Sequence, residues 1–102
     1  MDRVTQLRKF IDAQPQEPLP RYALALELKG LGDNEGAVAE LQALVAQAPD
    51  YLATYLQLGM LLQVLGRTAE ARDAFTRGQE VARRKGDGHT LSELTSALEA
   101  LG

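Results

Sequence analysis

At 102 residues, with 45% hydrophobic and 25% charged residues, the chain has the make-up of one folded domain with a thin core, which excludes a disordered or collagen-like segment. It has no cysteine, so a disulfide framework, a thiolate nucleophile and a cysteine-based zinc site are excluded, and a reducing compartment fits. A net charge of −3 argues against nucleic acid as the main ligand, because Lys and Arg lead phosphate binding.

The apolar spacing is helical nearly throughout. Val4, Leu7, Phe10 and Ile11 form the first stripe, in a helix over 2–14 that Pro15 stops. Leu24, Ala25, Leu28 and Leu31 form the second, which ends at Gly32, a residue suited to the left-handed conformation that closes many helices. Asp33 or Asn34 caps a third helix, which buries Val38, Leu41, Leu44 and Val45 and stops at Pro49; Asp50 is the expected cap of the fourth. The stretch 51–65 is apolar almost all round, through Tyr55, Leu56, Leu58, Met60, Leu62 and Val64, so it seeks burial on every side. Thr68 is expected to cap a long helix through Ala71, Phe75 and Val81 to the Gly86–Gly88 turn. A last helix over 90–101 starts with Thr90 and Glu93 as a capping box and carries Leu91, Leu94, Leu98 and Leu101. No strand is expected, and none of the six helices approaches the roughly 20 apolar residues of a membrane span. The opening Asp2-Arg3 lacks the basic and apolar regions of a secretion signal, so a cytoplasmic protein outside the membrane is expected.

The second helical cycle repeats the first at a spacing of 34 residues. Residues 18–51 and 52–85 share Leu24/Leu58, Leu28/Leu62, Leu31/Leu65, Gly32/Gly66, Ala37/Ala71 and Ala48/Ala82, which fall on apolar faces and the turn; Ala25/Gly59 keeps a small residue where two helices approach. The register extends backwards: Val4, Leu7, Ile11 and Pro15 stand 34 residues before Val38, Leu41, Val45 and Pro49. The 2–14 helix therefore reads as the second half of a truncated repeat.

On these residues the chain resembles the tetratricopeptide repeat family, whose unit is a helix–turn–helix of about 34 residues. Tyr55, Leu58, Gly59, Leu62, Gly66, Ala71, Phe75 and Gly78 follow the family pattern in the second unit; Leu24, Ala25, Leu28, Gly32, Ala37, Leu41 and Pro49 follow it in the first. The first unit departs at Arg21, in an aromatic position, and at Leu44, in a small one. Arg83 replaces the second unit's terminal Pro, and the last apolar stripe arrives two residues out of phase, so 90–101 reads as a capping helix. The fold expected is all-α, a right-handed α-solenoid in one domain, with repeats at 18–51 and 52–85 between the two terminal helices.

The resemblance implies partner binding in a concave groove lined by the first helix of each repeat. A quarter-turn from the core face places Tyr22, Leu26 and Lys29 toward that groove in the first unit, and Leu56, Met60 and Gln63 in the second. These are the expected contact residues: apolar anchors with Lys29 and Gln63 as a polar rim, unlike the Lys and Asn clamp with which some family members hold a C-terminal carboxylate. The implied function is a non-enzymatic scaffold or adaptor for another protein or peptide segment. The alternative is a homo-oligomer that uses the same apolar face on itself, and a third outcome is that the last helix folds across Leu56, Met60 and Val64 and hides them.

Chemistry-bearing constellations are sparse. His89 is the only histidine and Ser92 and Ser96 the only serines, so a nucleophile–base pair would sit on a terminal turn with no pocket expected around it. His89 and Glu93 share a helical face, but two ligands fall short of the four of a structural metal site. Gly30, Gly32 and Gly36 lack the spacing of a dinucleotide loop and follow a helix, so no catalytic residue, metal, cofactor or small-molecule substrate is assigned. The basic run Arg67, Arg72, Arg77, Arg83, Arg84 and Lys85 has no interleaved aromatics for stacking nucleic acid. It either solvates its helix or meets, in another copy, the acidic stretch 33–50, which carries Asp33, Glu35, Glu40 and Asp50 with no Lys or Arg.

Overall fold

The structure, a computed structural model, describes residues 2–102, and all regular structure among them is α-helical. The helices are α1 (Arg3–Ala13), α2 (Pro18–Gly30), α3 (Asn34–Gln47), α4 (Ala53–Val64), α5 (Thr68–Lys85) and α6 (Gly88–Leu101). They form two compact units, one ending at Tyr51 and holding α1, α2 and α3, the other beginning at Leu52 and holding α4, α5 and α6.

In both units the sequence builds the helix pair in the same way. Gly32 and Gly66 have φ of 85° and 76°, a left-handed conformation that costs a residue with a side chain far more than it costs glycine. The chain then reverses onto the helix it has just left: Asp33 N–H donates to the Leu28 carbonyl at 2.9 Å and Arg67 N–H to the Leu62 carbonyl at 2.8 Å, satisfying carbonyls that the helix end leaves without partners. Gly86 repeats the device after α5, where Asp87 N–H reaches Ala82 O at 2.9 Å.

The core of the first unit is Leu7 and Ile11 of α1, Leu24, Ala25 and Leu28 of α2, and Ala37, Val38, Leu41, Leu44 and Val45 of α3. That of the second is Tyr55, Leu58, Leu61 and Leu62 of α4, Ala71, Ala74, Phe75, Val81 and Ala82 of α5, and Leu94 of α6. Gly59 and Gly78 let the second unit close. A side chain on Gly59 would overlap the Phe75 ring, and one on Gly78 would come within 2.7 Å of the Tyr55 Cβ and 3.1 Å of Leu94. The small residue expected at the 25/59 position is thus a contact requirement.

Several expectations are corrected. Phe10 and Leu31, expected in buried stripes, are 57% and 68% exposed. Phe10 lies about 60° around α1 from the buried Leu7, and Leu31 has already left α2 at its C-cap. Asp33 does cap α3, accepting from Gly36 N–H at 2.9 Å, but α4 begins after Leu52 and not at Asp50, with no side-chain cap. Thr68 is the first residue inside α5, whose cap position is Arg67. The last helix starts at Gly88: Asp87, not Thr90, is the cap, taking the Thr90 N–H at 3.0 Å and its hydroxyl at 2.9 Å.

Charges pair mostly near home. Arg21, which replaces an aromatic of the repeat pattern, is three-quarters buried and donates to Glu40 at 2.9 Å and Gln47 at 3.1 Å, while Arg8 of α1 reaches Glu40 at 3.5 Å. In the second unit Arg67 pairs with Glu70 at 2.6 Å, Arg77 with Asp73 at 3.9 Å and Arg83 with Glu80 at 3.8 Å, each within α5 or at its start. These contacts favour a solvated helix for the basic run over a surface reserved for an acidic partner.

Candidate interaction surface

The surface builds from the helix faces left over after core packing. On α2, Tyr22 is half-buried, Leu26 is 37% exposed and Lys29 lies in solvent. Tyr22 meets Tyr51 edge-on, ring centroids 5.7 Å apart, a pairing that fixes the ring while leaving part of it on the surface.

On α4 the buried residues occupy a little under half the helix circumference, and Leu56, Met60, Gln63 and Val64 fall on the remaining arc. Leu56 is half-buried, Met60 39% exposed, Gln63 exposed and Val64 71% exposed. Helix α6 packs mainly on α5, through Leu94 at Gly78, and touches α4 only lightly. It therefore flanks the α4 face without hiding it. Between them runs an open groove of about 390 Å³, with Leu56 and Met60 on one side and His89, Ser92, Glu93, Ser96 and Ala97 on the other.

The sequence-predicted residues thus lie three on α2 of the first unit and three on α4 of the second, with Leu56 and Met60 brought together in one groove. The α6 wall was missed, although a signal for it exists. His89, Ser92, Glu93, Ser96 and Ala97 follow i, i+3, i+4, i+7, i+8 spacing, the polar complement of the Leu91/Leu94/Leu98 stripe. Nor is the region around His89 and the two serines without a pocket, as expected from the sequence; all three line this groove.

Chemically, the groove offers an apolar floor for a branched or aromatic side chain and a wall of hydroxyls and one carboxylate for hydrogen-bond donors. His89 is 87% exposed with Nε2 3.5 Å from Glu93 Oε1, a solvated pair. Among the described residues no group of three or more His, Cys, Asp or Glu is placed to hold a metal ion, and no helix is long and apolar enough to cross a membrane. At the head of α6, hydrogen bonds from Thr90 hold the Asp87 carboxyl below its ordinary value; Thr5 does the same for Asp2 at the head of α1.

Two helix–turn–helix pairs of one design, with matching glycine turns and close-approach positions, define an all-α helical-repeat protein. The chain belongs to the tetratricopeptide repeat family, whose model matches residues 28–93. It is 34% identical over 95 residues to the TPR repeat-containing protein PA0015 of Pseudomonas aeruginosa, an alignment covering 93% of this chain and 90% of that protein. Over 74 residues it is 31% identical to the DnaJ homolog subfamily C member 3 of Rattus norvegicus, covering 72% of this chain but only 15% of that protein. Among solved structures, the tetratricopeptide repeat domain protein of Salinibacter ruber superposes with a TM-score of 0.80 at 41% identity, covering 83% of this chain and 96% of that one. The TPR2B domain of yeast Sti1, solved as a complex with pHsp70, gives 0.88 at 14% identity, covering 96% and 78%, a likeness of fold alone. Proteins of this family generally act as protein–protein interaction modules and not as enzymes.

Proposed function

We propose that this chain is a non-enzymatic scaffold or adaptor that binds a segment of another protein through apolar contacts on the first helices of its repeats, 18–51 and 52–85. The anchors are Leu56 and Met60 in the second unit and Tyr22 and Leu26 in the first, with Gln63 and Lys29 at their polar edges. The observation that carries this reading is the open α4 face: a half-buried Leu56 and a 39% exposed Met60 beside a groove that α6 borders but leaves open. An apolar strip with a polar margin gains free energy when a partner excludes water from it, at roughly 25 cal/mol per Å² of apolar area. Family membership supports the same reading, as does the Sti1 domain of like fold solved with pHsp70. The protein acts in the cytoplasm.

The test is site-specific photo-crosslinking in extracts of the source cells, with the crosslinker at Met60 and, as control, at Glu80 on the exposed side of α5. A protein captured from Met60 and not from Glu80 supports the reading, and the same captures from both positions refute it.

A further inference from the structure

The two terminal helices each expose apolar residues at positions that the middle helices bury. In steps of 34 residues, Leu7 of α1 corresponds to Leu41 of α3 and Phe75 of α5, and all three are buried. Phe10 corresponds to Leu44 and Gly78, which are buried too, and a side chain on Gly78 would run into Tyr55 of α4, the first helix of its own pair. Phe10 itself is 57% exposed. The face of α1 that carries it is the one a first helix covers in the complete α4–α5 pair.

Helix α6 has the converse surface. Leu91, Leu94, Leu98 and Leu101 follow Tyr55, Leu58, Leu62 and Leu65 at 36 residues, the repeat spacing plus the two-residue shift of the last stripe. Leu94 is buried, but Leu91 and Leu98 are only half-buried where Tyr55 and Leu62 are 2% exposed. Since Tyr55 is the residue that meets Gly78 of α5, Leu91 marks the side of α6 on which a second helix belongs.

We infer that the occupant of both faces is a second copy of this chain: α1 of one molecule packs along Leu91 and Leu98 on α6 of the next, completing a helix pair between molecules. The side chains complement one another in size, because the large residue shifts from the first helix to the second: Tyr55 opposite Gly78 within the chain becomes Leu91 opposite Phe10 between chains. The charges are complementary as well. Around Phe10 stand Arg3 and Lys9, and α1 as a whole has Arg3, Arg8 and Lys9 against the single acid Asp12, whereas α6 carries Glu93 and Glu99 and no Lys or Arg. The contact is heterologous, so assembly runs head to tail and either propagates or closes into a ring. It leaves Leu56 and Met60 free, and its failure would not touch the function proposed above.

The test is sedimentation velocity over a concentration series with wild type, Phe10→Glu and Leu91→Glu, circular dichroism confirming that each variant is folded. Wild type should grow in mass with concentration, and each variant alone should stay monomeric. A mixture of the two variants should give a one-to-one dimer, since one retains a sound α6 face and the other a sound α1 face. Wild type that remains monomeric at its highest soluble concentration overturns the proposal, as does association that survives Phe10→Glu. Failure of the mixture to dimerise also overturns it, because it would mean a symmetric interface; should Leu91→Glu not fold, Leu91→Gln takes its place with the same expected result.

Discussion

Gly59 of α4 lies so close to the Phe75 ring of α5 that even a methyl group in place of its hydrogen would overlap the ring carbons. Phe75 is fully buried in a close-packed core, so its ring has little room to retreat. Gly59→Ala should therefore destabilise the fold by about 1–3 kcal/mol, despite the better helix propensity of alanine. Gly30→Ala provides the contrast: nothing lies within 4 Å of its would-be Cβ and its φ is negative, so it should be neutral or stabilising by up to about 1 kcal/mol. Urea denaturation of the two variants side by side checks both signs.

Arg21 holds Glu40 and Gln47 in a site where the repeat pattern has an aromatic. Arg21→Ala leaves Glu40, whose side chain is 16% exposed, without its shorter partner, and should cost about 1–2 kcal/mol. Arg8→Ala removes a longer contact from a side chain that is 54% exposed and should cost little. Chemical denaturation at two salt concentrations should show the Arg21 effect persisting and the Arg8 effect fading.

The caps Asp2 and Asp87 link stability to pH. Their folded-state values are lowered by hydrogen bonds from Thr5 and Thr90, so the ionised form is favoured by folding. Their contribution is complete above the ordinary aspartate value and is lost as pH falls through the lower folded one. Thermal melts between neutral and strongly acid pH should show stability declining in that window, with a shallower decline in the double variant Asp2→Asn, Asp87→Asn, which caps without titrating. Asp87→Ala should lower the melting temperature at neutral pH, where the Asn variant should not.

The repeat and its turns were legible because they depend on residue types with few substitutes: glycine at positive φ after α2 and α4, small residues at the Gly59 and Gly78 contacts, and leucines every third or fourth residue. Phe10 departs from expectation because hydrophobicity alone does not say which side of an apolar stripe finds a neighbour, and Leu31 because it continues the α2 stripe one residue past the end of the helix. The caps of α4, α5 and α6 lie one to three residues from the expected ones, and in Asp87-Gly88-His89-Thr90 only the hydrogen bonds to Asp87 decide between neighbouring cap-forming residues. At the candidate surface, Leu56 and Met60 were legible from helical phase. The polar face of α6 and its phase shift are legible too, but that this face stands beside Leu56 and Met60 is not, because it depends on the packing of α6 on α5 through Leu94.

The proposed function places a partner protein on the Leu56/Met60 face. Its most direct test is the affinity of the partner captured at Met60 for wild type and for the double variant Leu56→Ala, Met60→Ala, with helicity confirmed by circular dichroism. A loss of affinity of at least tenfold is expected, which is about 1.4 kcal/mol and in the range of truncating buried anchors, with the fold intact. Equal affinity for the two proteins would contradict it and place the interaction on another surface of the chain.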